Sequence, residues 1–142
     1  FSQPFTVTRD SDRMGMRLEG PALRHNELGA DIASDGVTPG AIQVPGNGQP
    51  IILMADCQTV GGYPKIGTVI SADLARLAHA RPGAQLRFAR VGLAEAAAAR
   101  AAQREMLAHW VSRMAGFLPP GLVDEAALYA GNLVTGMIRA DV

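Results

Sequence analysis

The sequence predicts a mainly β protein: a closed or nearly closed β-barrel with one short helix, followed by an alanine-rich helical extension. Three observations lead there. Glycine and proline crowd the first part, with twelve of the sixteen Gly and seven of the nine Pro in residues 1–92. Alanine crowds the remainder, with thirteen in residues 93–142. Between the glycines and prolines lie apolar runs of strand length, bounded by turn residues. Gly and Pro punctuate short elements, whereas Ala has the strongest helix preference. The expected domains are therefore residues 1–92 and 93–142. No charge asymmetry marks the division: nine basic and eight acidic residues precede it, four and five follow.

Phe5–Arg9 alternates and is rich in β-formers, so it reads as a strand. Asp10-Ser11-Asp12 is turn chemistry, because short polar side chains bond the local backbone. Met14–Leu18 reads as a second strand, ended by Gly20-Pro21. Residues 25–39 read as a loop with an Asp35-Gly36 turn. Ala41–Val44 and Ile51–Ala55 are apolar runs joined through Pro45–Pro50, the pattern of a hairpin with a wide loop. Thr68–Ile70 is a further short strand. Ser71 is placed to cap a helix, with Asp73 in the first turn and Leu74, Leu77 and Ala78 on one face. Arg81-Pro82-Gly83 stops it. Gln85–Val91 alternates, with Leu86, Phe88, Ala89 and Val91 apolar and Arg87 and Arg90 facing outward. Six short strands and one small helix suggest the barrel. Beyond it, Ala94–Gly116 is the clearest helix. Leu107, Trp110, Val111, Met114 and Leu118 form an apolar stripe that demands a covering surface. Pro119-Pro120-Gly121 breaks it, Asp124 and Glu125 suit a short helix start, and 132–138 fits either strand or helix.

Composition excludes several classes. The chain has 142 residues, 48% hydrophobic and 18% charged, which is globular rather than disordered. Thirteen basic and thirteen acidic residues cancel, against a nucleic-acid or anionic-membrane binder. No apolar run approaches the roughly 20 residues of a membrane span, and no signal peptide is read at the start. One cysteine, Cys57, cannot form an internal disulfide, so a reducing, cytoplasmic setting is expected. The first residues are Phe1-Ser2-Gln3 without an initiator Met, the pattern expected of a processed product or a portion of something longer. His25, His79 and His109 lie far apart, so no metal site is expected. There is no GxSxG elbow, no Walker loop and no CxxC.

Two dense polar segments remain. One is Ser11–Pro21. The other runs Ile42-Gln43-Val44-Pro45, then Gly48-Gln49-Pro50, then Ala55–Lys65. Asp56 through Thr59 follow an apolar strand and run into Gly61-Gly62, where a pocket rim would sit. Gly61 and Gly62 let backbone N–H groups approach an anion. Tyr63, held against Pro64, offers a fixed hydroxyl. Lys65 offers a point charge and Arg13 a planar fork for a carboxylate. Each residue also has a plain structural reading. Asp12 and Arg13 can cap and pair across a turn, and Gly61-Gly62 can be a hairpin turn or a bulge. Asp56 can hold a loop, Gln43 and Gln49 can be solvated, and Lys65 can be a surface charge. Cys57 reads as packed or merely exposed.

Those segments also carry a resemblance. Ser-Asp-Arg-Met-Gly-x-Arg-Leu-Glu-Gly-Pro, Gly-x-Ile-Gln-Val-Pro, Gly-Gln-Pro-Ile-Ile-Leu-Met-Ala-Asp and Gln-Thr-x-Gly-Gly-Tyr-Pro-Lys-Ile occur in order across residues 5–91. They resemble the biotin-dependent carboxyltransferase family, which includes the second subunit of allophanate hydrolase, KipA, the 5-oxoprolinase C component (PxpC) and the carboxyltransferase part of urea carboxylase. The resemblance implies a cyclophilin-like β-barrel subdomain, the second of two, completed by a missing N-terminal half or by a partner. It implies one component of an ATP-dependent 5-oxoprolinase, working with a B-type partner chain (KipI/PxpB) and with the A component. The alternatives are a biotin-dependent carboxyltransferase, which would need biotin from another domain because no attachment segment is present, and a KipA-like non-catalytic module that binds a kinase inhibitor. Catalytic roles would then fall to Asp56, Tyr63 and Lys65. Substrate binding would fall to Arg13, Gln43, Gln49, Gln58, Gly61 and Gly62. The family usually has an Arg where this chain has Cys57.

Overall fold

A computed structural model describes residues 3–114 and Ala126. Compact units cover residues 1–101 and 102–142. The first is built on a six-stranded antiparallel sheet. Its strands are β1 (Phe5–Val7), β2 (Gly15–Glu19), β4 (Ala41–Gln43), β5 (Ile51–Leu53), β7 (Lys65–Thr68) and β8 (Gln85–Leu86), in the order β7-β4-β5-β2-β1-β8. A separate two-stranded ribbon pairs β3 (Asp35–Gly36) with β6 (Val60–Gly61). Helix α1 (Ser71–Ala78) lies between β7 and β8, and helix α2 (Leu93–Met114) follows β8. The mainly β prediction holds, and the hydrogen bonding leaves β7 and β8 as the two ends of the sheet.

The core follows from strand alternation. In β2, Met16 and Leu18 point inward and are 4% and 1% exposed, while Arg17 and Glu19 point out. Phe5, Val7, Ile42 and Ile52 join them from neighbouring strands, and Leu77 comes from α1. Full burial of side chains of this size stabilises by about 1.5–3 kcal/mol each. The β1–β2 turn is fixed by Asp12, whose carboxylate accepts the N–H groups of Met14 (2.8 Å) and Gly15 (2.9 Å). Ser11 Oγ accepts the Arg17 N–H at 3.0 Å and donates to its carbonyl at 3.2 Å. The predicted β4–β5 hairpin forms. Its loop turns at Gly48, where φ is +74° and the carbonyl accepts the Leu23 N–H at 2.9 Å.

Several expectations are corrected. Residues 25–39 are not all loop, because Asp35-Gly36 pairs with a ribbon partner about 25 residues downstream, a long-range contact that local turn chemistry does not reveal. The strand expected at Thr68–Ile70 lies earlier, at Lys65–Thr68, where it can pair with β4. Ser71 is not the cap. Ile70 occupies that position with extended backbone and no side-chain cap bond, and Ser71 is already helical. On α1, Leu77 is buried and Leu74 half-buried, but Ala78 is exposed. Exposure alternates from Gln85 only as far as Phe88, because Ala89, expected on the apolar side, is exposed like Arg90, and only Gln85 and Leu86 find a strand partner.

Helix α2 matches the predicted span closely. It buries none of its residues. Leu107, Trp110, Val111 and Met114 are 55–67% exposed, so the covering surface that their stripe demands is not supplied among the described residues. Leu118 and the expectations at Pro119–Gly121, at Asp124 and Glu125, and at 132–138 lie outside the described residues.

Candidate functional site

The polar segments resolve into three clusters. The first gathers around the end of β4. Gln43 is 2% exposed, so the solvated alternative for it is overturned. Its Nε2 donates to the Tyr63 carbonyl at 3.4 Å. Gly61 lies directly over it. A Cβ at Gly61 would sit 2.5 Å from Gln43 Nε2, which explains glycine here without any unusual φ. A register irregularity between Ile42 and Gln43 lets β4 pair with Lys65 of β7. Lys65 then reaches back to the ribbon. Its ammonium bonds the Asp35 carboxylate and donates to the Gly36 carbonyl at 3.0 Å. The Lys65 side chain is only 26% exposed, so it is a fastening charge rather than a loose surface one. The Gly62 carbonyl accepts the Ile32 N–H at 2.9 Å, and the Tyr63 ring is 40% exposed. Gly61 belongs to a paired strand, which decides against a free hairpin turn.

Asp35 is the member of this cluster that the sequence did not single out. The Lys65 hydrogen bond and the Gly36 N–H hold its carboxyl below the usual aspartate value. Thirty residues separate the pair, and neither position carries a motif pointing at the other.

The second cluster joins the β1–β2 turn to the end of β5. Arg13 Nε lies 3.2 Å from Asp56 Oδ2, with side chains 90% and 48% exposed. The Asp56 N–H also donates to the Arg13 carbonyl at 3.1 Å. Arg13 therefore pairs with Asp56 rather than across its own turn. So exposed a pair contributes roughly 0–1 kcal/mol. The third is a backbone clamp. Gln49 Oε1 accepts the Gly20 N–H at 2.9 Å, and its Nε2 donates to the Gly20 carbonyl at 3.1 Å. Both polar ends of Gln49 are thus engaged, and the solvated alternative is overturned for it too. Gln58 is exposed on the segment between the first two clusters.

A cavity of about 310 Å³ lies elsewhere on this unit. Ile66 of β7 and Phe88, just past β8, line it together with Phe5, Ile42 and Pro50. Leu23 and Arg24 complete the wall. None of the nine residues singled out from the sequence lines it. His25, next to Arg24, has Nε2 2.9 Å from the Pro45 carbonyl. Among the described residues no cluster of His, Cys, Asp and Glu could hold a metal ion. None of the described helices is long and apolar enough to cross a membrane.

An antiparallel sheet that carries these motifs in this order defines a class. Residues 1–90 match the family described as "Carboxyltransferase domain, subdomain A and B", and the chain belongs to it. Within that class, the chain is 49% identical over 96 residues to the 5-oxoprolinase C component of Haemophilus influenzae, covering 68% of this chain and 31% of that protein. It is 44% identical over 104 residues to the 5-oxoprolinase C component of Escherichia coli, covering 73% and 33%. The chain thus spans about a third of the length of these relatives. The urea carboxylase of Kluyveromyces lactis shares the fold, with a TM-score of 0.62 at 24% identity over 66% of this chain and 9% of that one.

Proposed function

We propose that this chain is the C-terminal part of a protein like the 5-oxoprolinase C component, one that serves ATP-dependent opening of 5-oxoproline to glutamate together with A-type and B-type partner chains. The observation that carries this reading is the identity of 49% over 96 residues and 44% over 104 residues to the C components of two 5-oxoprolinases. The reaction breaks a ring amide C–N bond. Water supplies the oxygen of the new carboxylate, and nucleotide hydrolysis drives it.

The β4-end cluster supplies what such a reaction needs from a binding surface. Lys65 can release Asp35 to a substrate carboxylate, exchanging one ion pair for another. Gly61 and Gly62 bring backbone close to a planar N–C=O group. Preorganised donors at a developing oxyanion contribute about 2.7–4 kcal/mol each. Tyr63 and Asp56 are the proton-relay candidates, with Arg13 orienting Asp56. Gln58 lies on the segment between them. Gln43 and Gln49 act by holding the backbone that presents these groups.

The test is turnover by the assembled complex with ATP. Glutamate formation from 5-oxoproline supports the reading, and an intact assembly that leaves 5-oxoproline unchanged refutes it. Lys65→Ala and Arg13→Ala extend the test. Loss of turnover with assembly intact assigns the site. Unchanged turnover in both makes this unit a binding module.

A further inference from the structure

We infer that the β3–β6 ribbon is a lid over a two-point site for a small lactam carboxylate, in which Asp35 holds the place of the ligand's carboxylate on Lys65 and the Gln43 amide pairs with the lactam edge. The inference rests on the 5-oxoproline reading and deepens it. It names the groups that recognise the ring and the internal carboxylate that competes with it.

The first observation is an under-bonded amide. Strand β4 is buried on both faces, with Ile42 toward the core and Gln43 toward Gly61 of the ribbon. Gln43 is 2% exposed. Yet its Nε2 makes one long bond, 3.4 Å to the Tyr63 carbonyl, and its Oε1 accepts none among the described residues. A side-chain amide offers two donor hydrogens and an acceptor oxygen. Buried polar groups are normally paired, so an amide left this incomplete calls for a partner.

The second is its neighbour. Lys65 is the cross-strand partner of Gln43, so the two side chains rise on the same face of the sheet. The Lys65 ammonium is taken by the Asp35 carboxylate and the Gly36 carbonyl. Lys65 belongs to the six-stranded sheet and its side chain is 26% exposed, whereas that of Asp35 is 65% exposed. The acid is therefore the movable member of the pair.

The third is how the ribbon is held. The Val37 N–H donates to the Thr59 carbonyl at 3.0 Å and the Ile32 N–H to the Gly62 carbonyl at 2.9 Å, so these bonds, like the ladder itself, run between the ribbon's own two segments. Among the described residues, Lys65 is the side chain that hydrogen-bonds the ribbon strands to the sheet. Exchanging Asp35 for another carboxylate at Lys65 frees the ribbon. Moving Gly61 off Gln43 then uncovers the amide beside the ammonium.

The chemistry of this pair selects the ligand. A ring amide is cis, so its N–H and C=O lie on one edge, where Gln43 Oε1 accepts from the first and Nε2 donates to the second. An open-chain amide is trans and turns the two groups to opposite edges. A carboxylate on the carbon next to the ring nitrogen comes to the ammonium. Removing Asp35 therefore strengthens binding, although it weakens the fold. A merely structural ion pair gives the reverse, weaker binding along with the weaker fold.

Lys65 is the single lysine of the 142-residue chain, so lysine-selective labelling gives one side-chain signal. The experiment titrates 5-oxoproline into the labelled chain and reads the Lys65 signal and the Gln43 side-chain amide by NMR. Saturable shifts of both are expected. In Asp35→Asn, half-saturation should come at about a third of the parent's concentration or less. N-acetylglycine, a trans amide with a carboxylate, and 2-pyrrolidone, a ring amide without one, should each need about tenfold more. The inference is overturned if neither chain gives a saturable shift, if Lys65 responds without Gln43, or if Asp35→Asn binds no more tightly than the parent. It is also overturned if acetate acts as 5-oxoproline does, which marks an adventitious ion only. Turnover by the assembled complex is read separately. Glutamate formation with an unchanged KM in Asp35→Asn leaves the 5-oxoprolinase reading standing while this inference falls, and binding as described without turnover does the opposite.

Discussion

The sheet and helix α2 reach regular structure by different routes. In the sheet, side chains from β1, β2, β4 and β5 interlock, and Leu18 and Ile52 are 1% and 0% exposed. In α2, 22 residues form a helix without a single buried side chain. Tertiary burial holds the strands, none of which exceeds five residues. Alanine-rich local preference shapes the helix. The family match ends at residue 90, and the core formed among the described residues lies within it. The difference teaches that function should track the sheet unit, and that substitutions there should cost far more than substitutions on the stripe of α2.

The largest contrast is between leucines. Leu18→Ala should destabilise by about 2–5 kcal/mol, read as a lowered urea midpoint, because it opens a cavity in a close-packed site. Leu107→Ala, at a position 55% exposed, should stay within about 0.5 kcal/mol. Equal effects would erase the distinction.

Gly48→Ala comes next, at about 1–3 kcal/mol. A Cβ there would sit 2.5 Å from the Leu23 carbonyl oxygen, at a backbone φ of +74°. Gln49→Leu should cost a similar or smaller amount, about 1–3 kcal/mol, by orphaning both backbone groups of Gly20. Thermal melts of the two variants, compared with the parent, check both values.

The smallest effect is electrostatic. Asp35 and Asp12 both have folded-state values below the ordinary 3.8, Asp35 through Lys65 and Gly36, Asp12 through the N–H groups of Gly15 and Met14. A depressed carboxyl stabilises the folded state above its unfolded value. That contribution is lost as pH falls through the folded value. Asp35→Asn should therefore lower stability at neutral pH and flatten the acid limb below about pH 4. NMR titration of the Asp35 carboxyl should give a midpoint below 3.8, and a midpoint above it would break the Lys65 link.

Legibility followed the range of the forces involved. The turn at Asp12, the β4–β5 hairpin and the body of α2 depend on neighbours in sequence, and all could be read there. The register of β7 could not, because it is set by pairing with β4 across a β-irregularity at Gln43. The ribbon at Asp35–Gly36 looked like a turn because its partner is distant. Within the polar clusters, residue types were visible but partners were not. Lys65 meeting Asp35, Arg13 meeting Asp56 and Gln49 meeting Gly20 are contacts over 29 or more residues. Gly61 was legible as a close approach, and the structure shows that the Gln43 side chain lies against it.

One measurement bears most directly on where the proposed activity resides: 5-oxoproline turnover by the ATP-supplied assembly, carrying either Gly61→Ala or Trp110→Ala in this chain. Displacing Gln43 beneath Gly61 should abolish most glutamate formation, whereas trimming an exposed indole on α2 should leave the rate near that of the parent. Retained turnover in the glycine variant together with loss in the tryptophan variant would contradict the assignment of function to the sheet unit.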